Sequence, residues 1–285
     1  MSNLPVKSPA GRRRMSAVHL AELAQARQLL ENPGVAARIA DVVGAPIESL
    51  LFKRSPRWVS RIISAATHRA LASAMAMAVS SVPRSGPPMP ARNLAHKAAV
   101  AATGAVGGFF GLAGLSVELP TTTTLIMRSI AEIAREQGED LDDPAARMAC
   151  MEVFALGSKR SESDDGSETG YFAVRAAIAQ QVASAAEFVA VHGAASKAAP
   201  ALVMAINSIA SRFSIAVSEK AIAQSAPVIG AVSGALINTL FITHFQAAAR
   251  GHFMVRRLQR EYGPGLVERE YARLGAVGPG RVDAG

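Results

Sequence analysis

Two stretches of this chain carry no charge: residues 98–117, AAVAATGAVGGFFGLAGLSV, and residues 221–249, counting His244 as neutral. Runs of this kind must be surrounded by something other than water, either the rest of the protein or a bilayer. Twenty helical residues at about 1.5 Å each would cover the roughly 30 Å of a hydrocarbon core, so length permits a span. Composition argues against one. The first run holds five glycines and six alanines, and the second holds Gln224, Ser225, Pro227, Ser233, Asn238, Thr239, Thr243, His244 and Gln246. Where even Leu or Ile gains only about 0.3–0.6 kcal/mol on insertion, such segments are marginal spans. Gly104, Gly107, Gly108, Gly111 and Gly114, with the GxxxG of Gly230 and Gly234, suit close helix contacts, which occur in membranes and soluble cores alike. A buried core hairpin is therefore the first expectation. Helices lying on or dipping into a bilayer come second, and true spans third.

The punctuation elsewhere is helical. Asn32 with Pro33, Ser55 with Pro56, and Asp143 with Pro144 each pair an N-cap side chain with a proline at the first helical position. Gly138 and Gly157 follow helical runs, where a left-handed C-cap favours glycine. Leu202, Ile206, Ile209, Phe213 and Val217 form one helical stripe, and Asn207, Ser211, Ser214 and Ser218 form another. No run shows the sustained alternation of a strand. The expected fold is all-α, one compact multi-helix domain with glycine- and alanine-rich central helices. It should cover residues 15–274, with surface loops at 82–93 and 158–168, a disordered basic N-terminus at 1–14 and a flexible tail at 275–285. Aromatics make up only 5% of the chain, so closely approaching backbones should build much of the core.

Charge is distributed unevenly. Lysines and arginines outnumber carboxylates 14 to 4 in residues 1–100 and 9 to 5 in residues 201–285, whereas residues 101–200 carry 7 against 13. Basic ends can attract dense negative charge, as on nucleic acid or anionic lipid. Aromatic groups interleaved with arginines, or a nucleic-acid reading motif, are missing, so nucleic acid is not the expected partner. Arg12 to Arg14 are followed by MSAVHLAELAQARQLLE, whose Glu22 and Arg27 stand where a signal peptide needs an uncharged run. A single cysteine, Cys150, excludes an internal disulfide and fits an intracellular setting. The expected location is the cytoplasm, with peripheral contact at the inner face of the cytoplasmic membrane.

Catalytic signatures are missing. The chain has no HExxH, no GxSxG, no Walker A lysine after its glycines, and no GxGxxG between a strand and a helix. No two of the six histidines are four apart. His244 and His252, eight apart, lie about 80° apart around a helix and could share a ligand only loosely. The acidic group Glu162, Asp164, Asp165 and Glu168 reads as a solvated loop rather than a cation site. No metal and no cofactor are expected.

Three stretches together resemble a known family. ELPTTTTLIMRSIAEIAREQGEDLDDPAARMACMEVFALG, NPGVAARIADVVGAPIE and APVIGAVSGALINTLFITHFQAAARGHFMVRRLQREYG look like the EcsC family, named after a protein encoded beside a bacterial ABC transporter. The resemblance covers about residues 30–265. It implies a bacterial, helical protein associated by context with transport and the cell envelope, of unestablished activity. Some members carry a hydrolase label, and no motif in this chain supports it.

The join between the first uncharged run and the following charged helix carries the candidate site. Pro120 suits a helix start, with Thr121 or Thr122 as alternatives for capping its first turn. Glu118 then lies at the positive end of the helix dipole. Ile126, Ile130 and Ile133 face inward, and Arg128 can pair with Glu132. The candidate polar cluster is Glu118, Thr121, Thr122 and Arg128, facing Asn238 and His244 on the second uncharged run. A membrane-surface anchor is expected at Phe253 with Arg256, Arg257 and Arg260. The expected function is a non-enzymatic, membrane-peripheral accessory or interaction protein, its partner an anionic membrane surface or a membrane protein complex. The alternative is a hydrolase assembled from the dispersed polar residues. No small-molecule substrate is indicated.

Overall fold

Several described helix ends fall at or beside glycine or proline, at Gly138, Pro144, Gly157, Gly193, Pro200, Gly263 and Pro264. The computed structural model describes residues 14–31, 57–80, 93–109, 111–157, 170–193, 199–225 and 231–276; at 57, 80, 93, 104–109, 111–113, 225, 231–233 and 276 it describes the backbone alone. Among the described residues there are nine α-helices and no strand. They are α1 (Ala17–Leu30), α2 (Arg57–Ser80), α3 (Asn93–Phe109), α4 (Gly111–Glu136), α5 (Pro144–Leu156), α6 (Gly170–His192), α7 (Pro200–Ser225), α8 (Ala231–Tyr262) and α9 (Pro264–Ala276). The Asn32 and Ser55 caps, the loops expected at 82–93 and 158–168 with their acidic group, and Gly230 fall wholly or almost wholly outside the described residues. So do residues 1–13 and 277–285.

Local signals account for several boundaries. Asp143 caps α5 by accepting the Ala145 N–H at 2.9 Å, with Pro144 in the first turn. Gly138, just after α4, has φ +78°, and Gly263, between α8 and α9, has φ +84°. Gly157 differs from expectation, since its φ of −76° is open to any residue. Close approach explains it instead. A Cβ there would lie 2.5 Å from Phe245 Cε1.

Pro120 also departs from the sequence reading. It does not begin a helix but lies inside α4, which runs unbroken from Gly111 to Glu136. A proline in a helix interior removes one backbone bond and costs about 3 kcal/mol in isolation. Burial on both sides offsets this, because Leu115, Leu119, Ile126, Met127, Ile130 and Ile133 are all fully enclosed. Thr121 and Thr124 turn their hydroxyls onto the carbonyls of Val117 and Pro120, at 3.3 and 2.8 Å.

α8 is the hub, packing against α1, α3, α4, α5, α7 and α9. Four of the ten phenylalanines gather where it meets α5 and α7: Phe154, Phe213, Phe241 and Phe245, with contacting centroids 5.0–6.1 Å apart. The stripe of Leu202, Ile206, Ile209, Phe213 and Val217 is buried as its spacing requires.

Neither uncharged run is one continuous helix. Residues 98–117 are divided between α3 and α4, which pack on each other, and residues 221–249 between α7 and α8. The two helices long and apolar enough to cross a membrane, among the described residues, are instead Trp58–Val79 and Pro200–Gln224, with mean hydropathies of 1.3 and 1.5.

Candidate functional site

Glu118 lies mid-helix on α4, buried, with three donors from other helices around it. Lys220 Nζ on α7 donates to Oε1 at 2.7 Å, Asn238 Nδ2 on α8 donates to the same oxygen at 2.7 Å, and Gln224 Nε2 reaches Oε2 at 3.3 Å. Asn238 also donates to the Val100 carbonyl at 3.1 Å. Thr122 and Thr103 share a bond of 3.1 Å beside it. The helix dipole is therefore not what answers Glu118, whose counter-charge is an ammonium 102 residues away in sequence. Lys220 is fully enclosed, its nitrogen 5.0 Å from the Phe241 ring centroid. Burial pushes its ammonium below the ordinary lysine range, and Glu118 partly opposes that shift.

The other members of the expected cluster stand apart. Arg128 is exposed, and Glu132 meets His96 at 3.1 Å. Thr121 is exposed as well. His244 turns away to the Gly157 carbonyl. The sequence reading missed Lys220 and Gln224, although a signal was present: stepping on from Phe213 and Val217 along the buried stripe lands on 220 and 224. A lysine on an apolar stripe needs a buried carboxylate. The cluster ties α3, α4, α7 and α8 together around an enclosed carboxylate.

The expected anchor is overturned. Phe253 is 0% exposed, held in the core by α8's central position. Arg256 forms a two-pronged bond with Glu139, at 2.9 and 3.1 Å, and Arg260 joins the same carboxylate. Arg257 donates to Glu22 at 2.8 Å. Burial works against the Glu139 carboxylate, but Arg256 and Arg260 outweigh it and hold the group below its usual range. These arginines fasten α8 to the end of α4 and to α1.

A second polar group underlies a cleft of about 660 Å³ lined by Glu152, Phe172, Arg175, Gln259, Glu268 and Arg269, among others. Tyr171 Oη and His252 Nδ1 are 2.9 Å apart, and Arg175 Nη1 donates to Tyr171 Oη at 3.4 Å. An oxygen that accepts from Arg175 is free to donate its own proton to Nδ1, which leaves the proton of neutral His252 on Nε2. That nitrogen stands 3.6 Å from Glu152 Oε2, and Arg175 Nε stands 3.8 Å from it, both just beyond hydrogen-bond length. Burial raises the Glu152 carboxyl and, with Arg175 and Arg256 nearby, holds His252 well below the ordinary imidazole range. Cys150, enclosed nearby, has its thiol pushed up by burial and is unsuited to nucleophilic work. No cluster of three metal-ligating side chains occurs among the described residues.

The third feature is a face. The outward residues of α2 are Trp58, Ser60, Arg61, Ser64, Ala65, His68, Arg69 and Ala72, and those of α7 are Pro200, Val203, Met204, Asn207, Ser211 and Ile215. None is a carboxylate, since α2 contains no acid and α7's one acid, Glu219, is buried. Trp58 is 56% exposed and Met204 58%. α6, which flanks α7, contributes one carboxylate, Glu187.

No curated protein matches the chain, and no solved structure does. The model of the EcsC protein family matches residues 20–258, a span from α1 almost to the end of α8 that takes in the Glu118 cluster and the α2 and α7 face but stops short of Gln259, Glu268 and Arg269 in the cleft. The chain belongs to the EcsC protein family.

Proposed function

We propose that this protein is a non-enzymatic accessory protein that docks peripherally on an anionic membrane surface, through the outward face of α2 and α7. The setting is the inner face of a bacterial cytoplasmic membrane, in the service of transport or the cell envelope. The observation that carries this reading is the composition of that face. It brings together Arg61 and Arg69, the exposed apolar groups Trp58, Val203, Met204 and Ile215, and no outward carboxylate. Guanidinium groups are drawn to anionic headgroups while an indole and short aliphatics settle at the level of the headgroup boundary.

Sedimentation with vesicles tests the reading. The protein should pellet with phosphatidylcholine vesicles doped with anionic lipid, should stay in solution with phosphatidylcholine alone, and should be released by salt. At about 1 kcal/mol per basic residue near such a surface, Arg61→Ala with Arg69→Ala should weaken binding about thirtyfold. Arg273→Ala, at an exposed site on α9, should not. Equal binding to neutral vesicles, or indifference to the α2 pair, would contradict the proposal.

A hydrolase is the second reading, and the cleft above Glu152 and Arg175 is what favours it, because several ionisable groups converge there. It ranks below docking because no serine, threonine or cysteine among the described residues lines that cleft, and His252 is enclosed beneath it.

A further inference from the structure

The seam between α2 and α7 is a groove of about 620 Å³, lined by Ser60, Ser64, Thr67, His68, Asn207, Ser211, Ser214 and Ser218 over the apolar Ile63, Ala210 and Ile222. Among the described residues its polar lining is hydroxyl, amide and imidazole, with no lysine, arginine or carboxylate. The hydrogen bonds give the groove a direction. Ser211 donates its one hydroxyl proton to the Ser208 carbonyl at 2.7 Å, Ser214 to Ser211 at 3.2 Å, and Ser218 to Ser214 at 2.7 Å. Each proton is thereby used within α7, so what these serines have left to offer is acceptor lone pairs. Thr67 supplies a second, independent observation. Its side chain is 0% exposed, it lines the groove, and its hydroxyl has no hydrogen-bond partner among the described residues. A buried hydroxyl left unpaired is costly, which marks it as a position for a ligand group.

The α7 serines form a row of acceptors along one wall of the groove, which suits a ligand that brings donors. Two chemistries qualify, an ammonium or a polyol. An ammonium fits poorly, because no carboxylate lines the groove and Arg61, Arg69 and His68 stand on the same α2 face. Hydroxyl groups donate without carrying charge. They can also accept from Thr67.

We infer that this groove binds the polyol headgroup of an anionic phospholipid, of which the glycerol of phosphatidylglycerol is the simplest case. The inference rests on the docking proposal: the arginines and apolar groups hold the face on the bilayer, and the groove between them selects the headgroup. Arg61 and Arg69 then answer the phosphate, while the serines, Asn207 and Thr67 meet the diol.

The experiment uses the full chain and two vesicle compositions of matched charge, phosphatidylcholine doped with either phosphatidylglycerol or phosphatidylserine. Binding to phosphatidylglycerol should be tighter by about fivefold, the worth of roughly one net hydrogen bond. Thr67→Val with Ser211→Ala should bring it down to the phosphatidylserine level while leaving the latter unchanged. Soluble glycerophosphoglycerol should release the protein from the first vesicle at a lower concentration than glycerophosphoserine does, and equal potency of the two would count against headgroup selection. Should T67V with S211A fail to fold, the competition and the two-lipid comparison on the unaltered protein decide the matter. Equal affinity for the two lipids would overturn the headgroup inference and leave docking standing. Binding to neither would overturn both.

Discussion

Lys220 and Glu118 show what a single pair of residues does in this protein. Each is enclosed, and the 2.7 Å contact between them is reinforced by Asn238 and Gln224. Removing one partner leaves a buried charge uncompensated, whereas replacing both with apolar groups of similar volume is often close to neutral. Lys220→Met should therefore cost about 3–5 kcal/mol in denaturant unfolding. Adding Glu118→Leu should restore most of that loss, and a double mutant no more stable than Lys220→Met would show that the pair is not the principal interaction of either residue. Half of this pair was legible in the sequence. Glu118 stands out at the join after the first uncharged run, but the capping rule places it before a helix start that does not exist. The burial of Lys220 follows from its place on the α7 stripe, but its pairing with a residue 102 positions away leaves no mark in local spacing. His252 carries a pH signature of the same origin. Its depressed folded-state pKa means that the unfolded chain takes up the proton first as pH falls below about 6.5. Stability should therefore decline below that pH, and His252→Phe should flatten the decline even if it lowers stability at neutral pH. An unchanged pH slope in that variant would contradict the assignment.

At the scale of elements, α4 and α8 went furthest beyond what local rules could show. The Asp143–Pro144 start of α5 and the buried stripe of α7 follow from capping and from a 3.6-residue period, and both stand as read. Pro120 was read by the same capping rule and the rule failed, because tertiary burial on both sides carries α4 through the proline. Phe253 with Arg256, Arg257 and Arg260 resembled an amphipathic anchor. Yet α8 is surrounded on most sides, which encloses the phenylalanine and leaves the arginines to pair with Glu139 and Glu22. An arginine beside an aromatic residue reads the same in sequence whether it faces lipid or a carboxylate from a distant element. The serine stripe of α7 was legible as a stripe, but its partner wall on α2 was not, and only the pairing of the two helices makes it a groove.

At the scale of the whole molecule, the proposed contact is between the α2 and α7 face and an anionic bilayer. The chain contains one tryptophan, Trp58, and it lies on that face with 56% of its surface exposed. Its fluorescence is therefore a reporter of the proposed contact that needs no label and no substitution. On titration with phosphatidylglycerol-containing vesicles, Trp58 emission should shift to shorter wavelength, become quenchable by lipids brominated near the headgroup end of the acyl chain, and return to its starting position in high salt. Vesicle binding with Trp58 emission unmoved and still open to aqueous quenchers would place the contact elsewhere on the molecule and contradict the account.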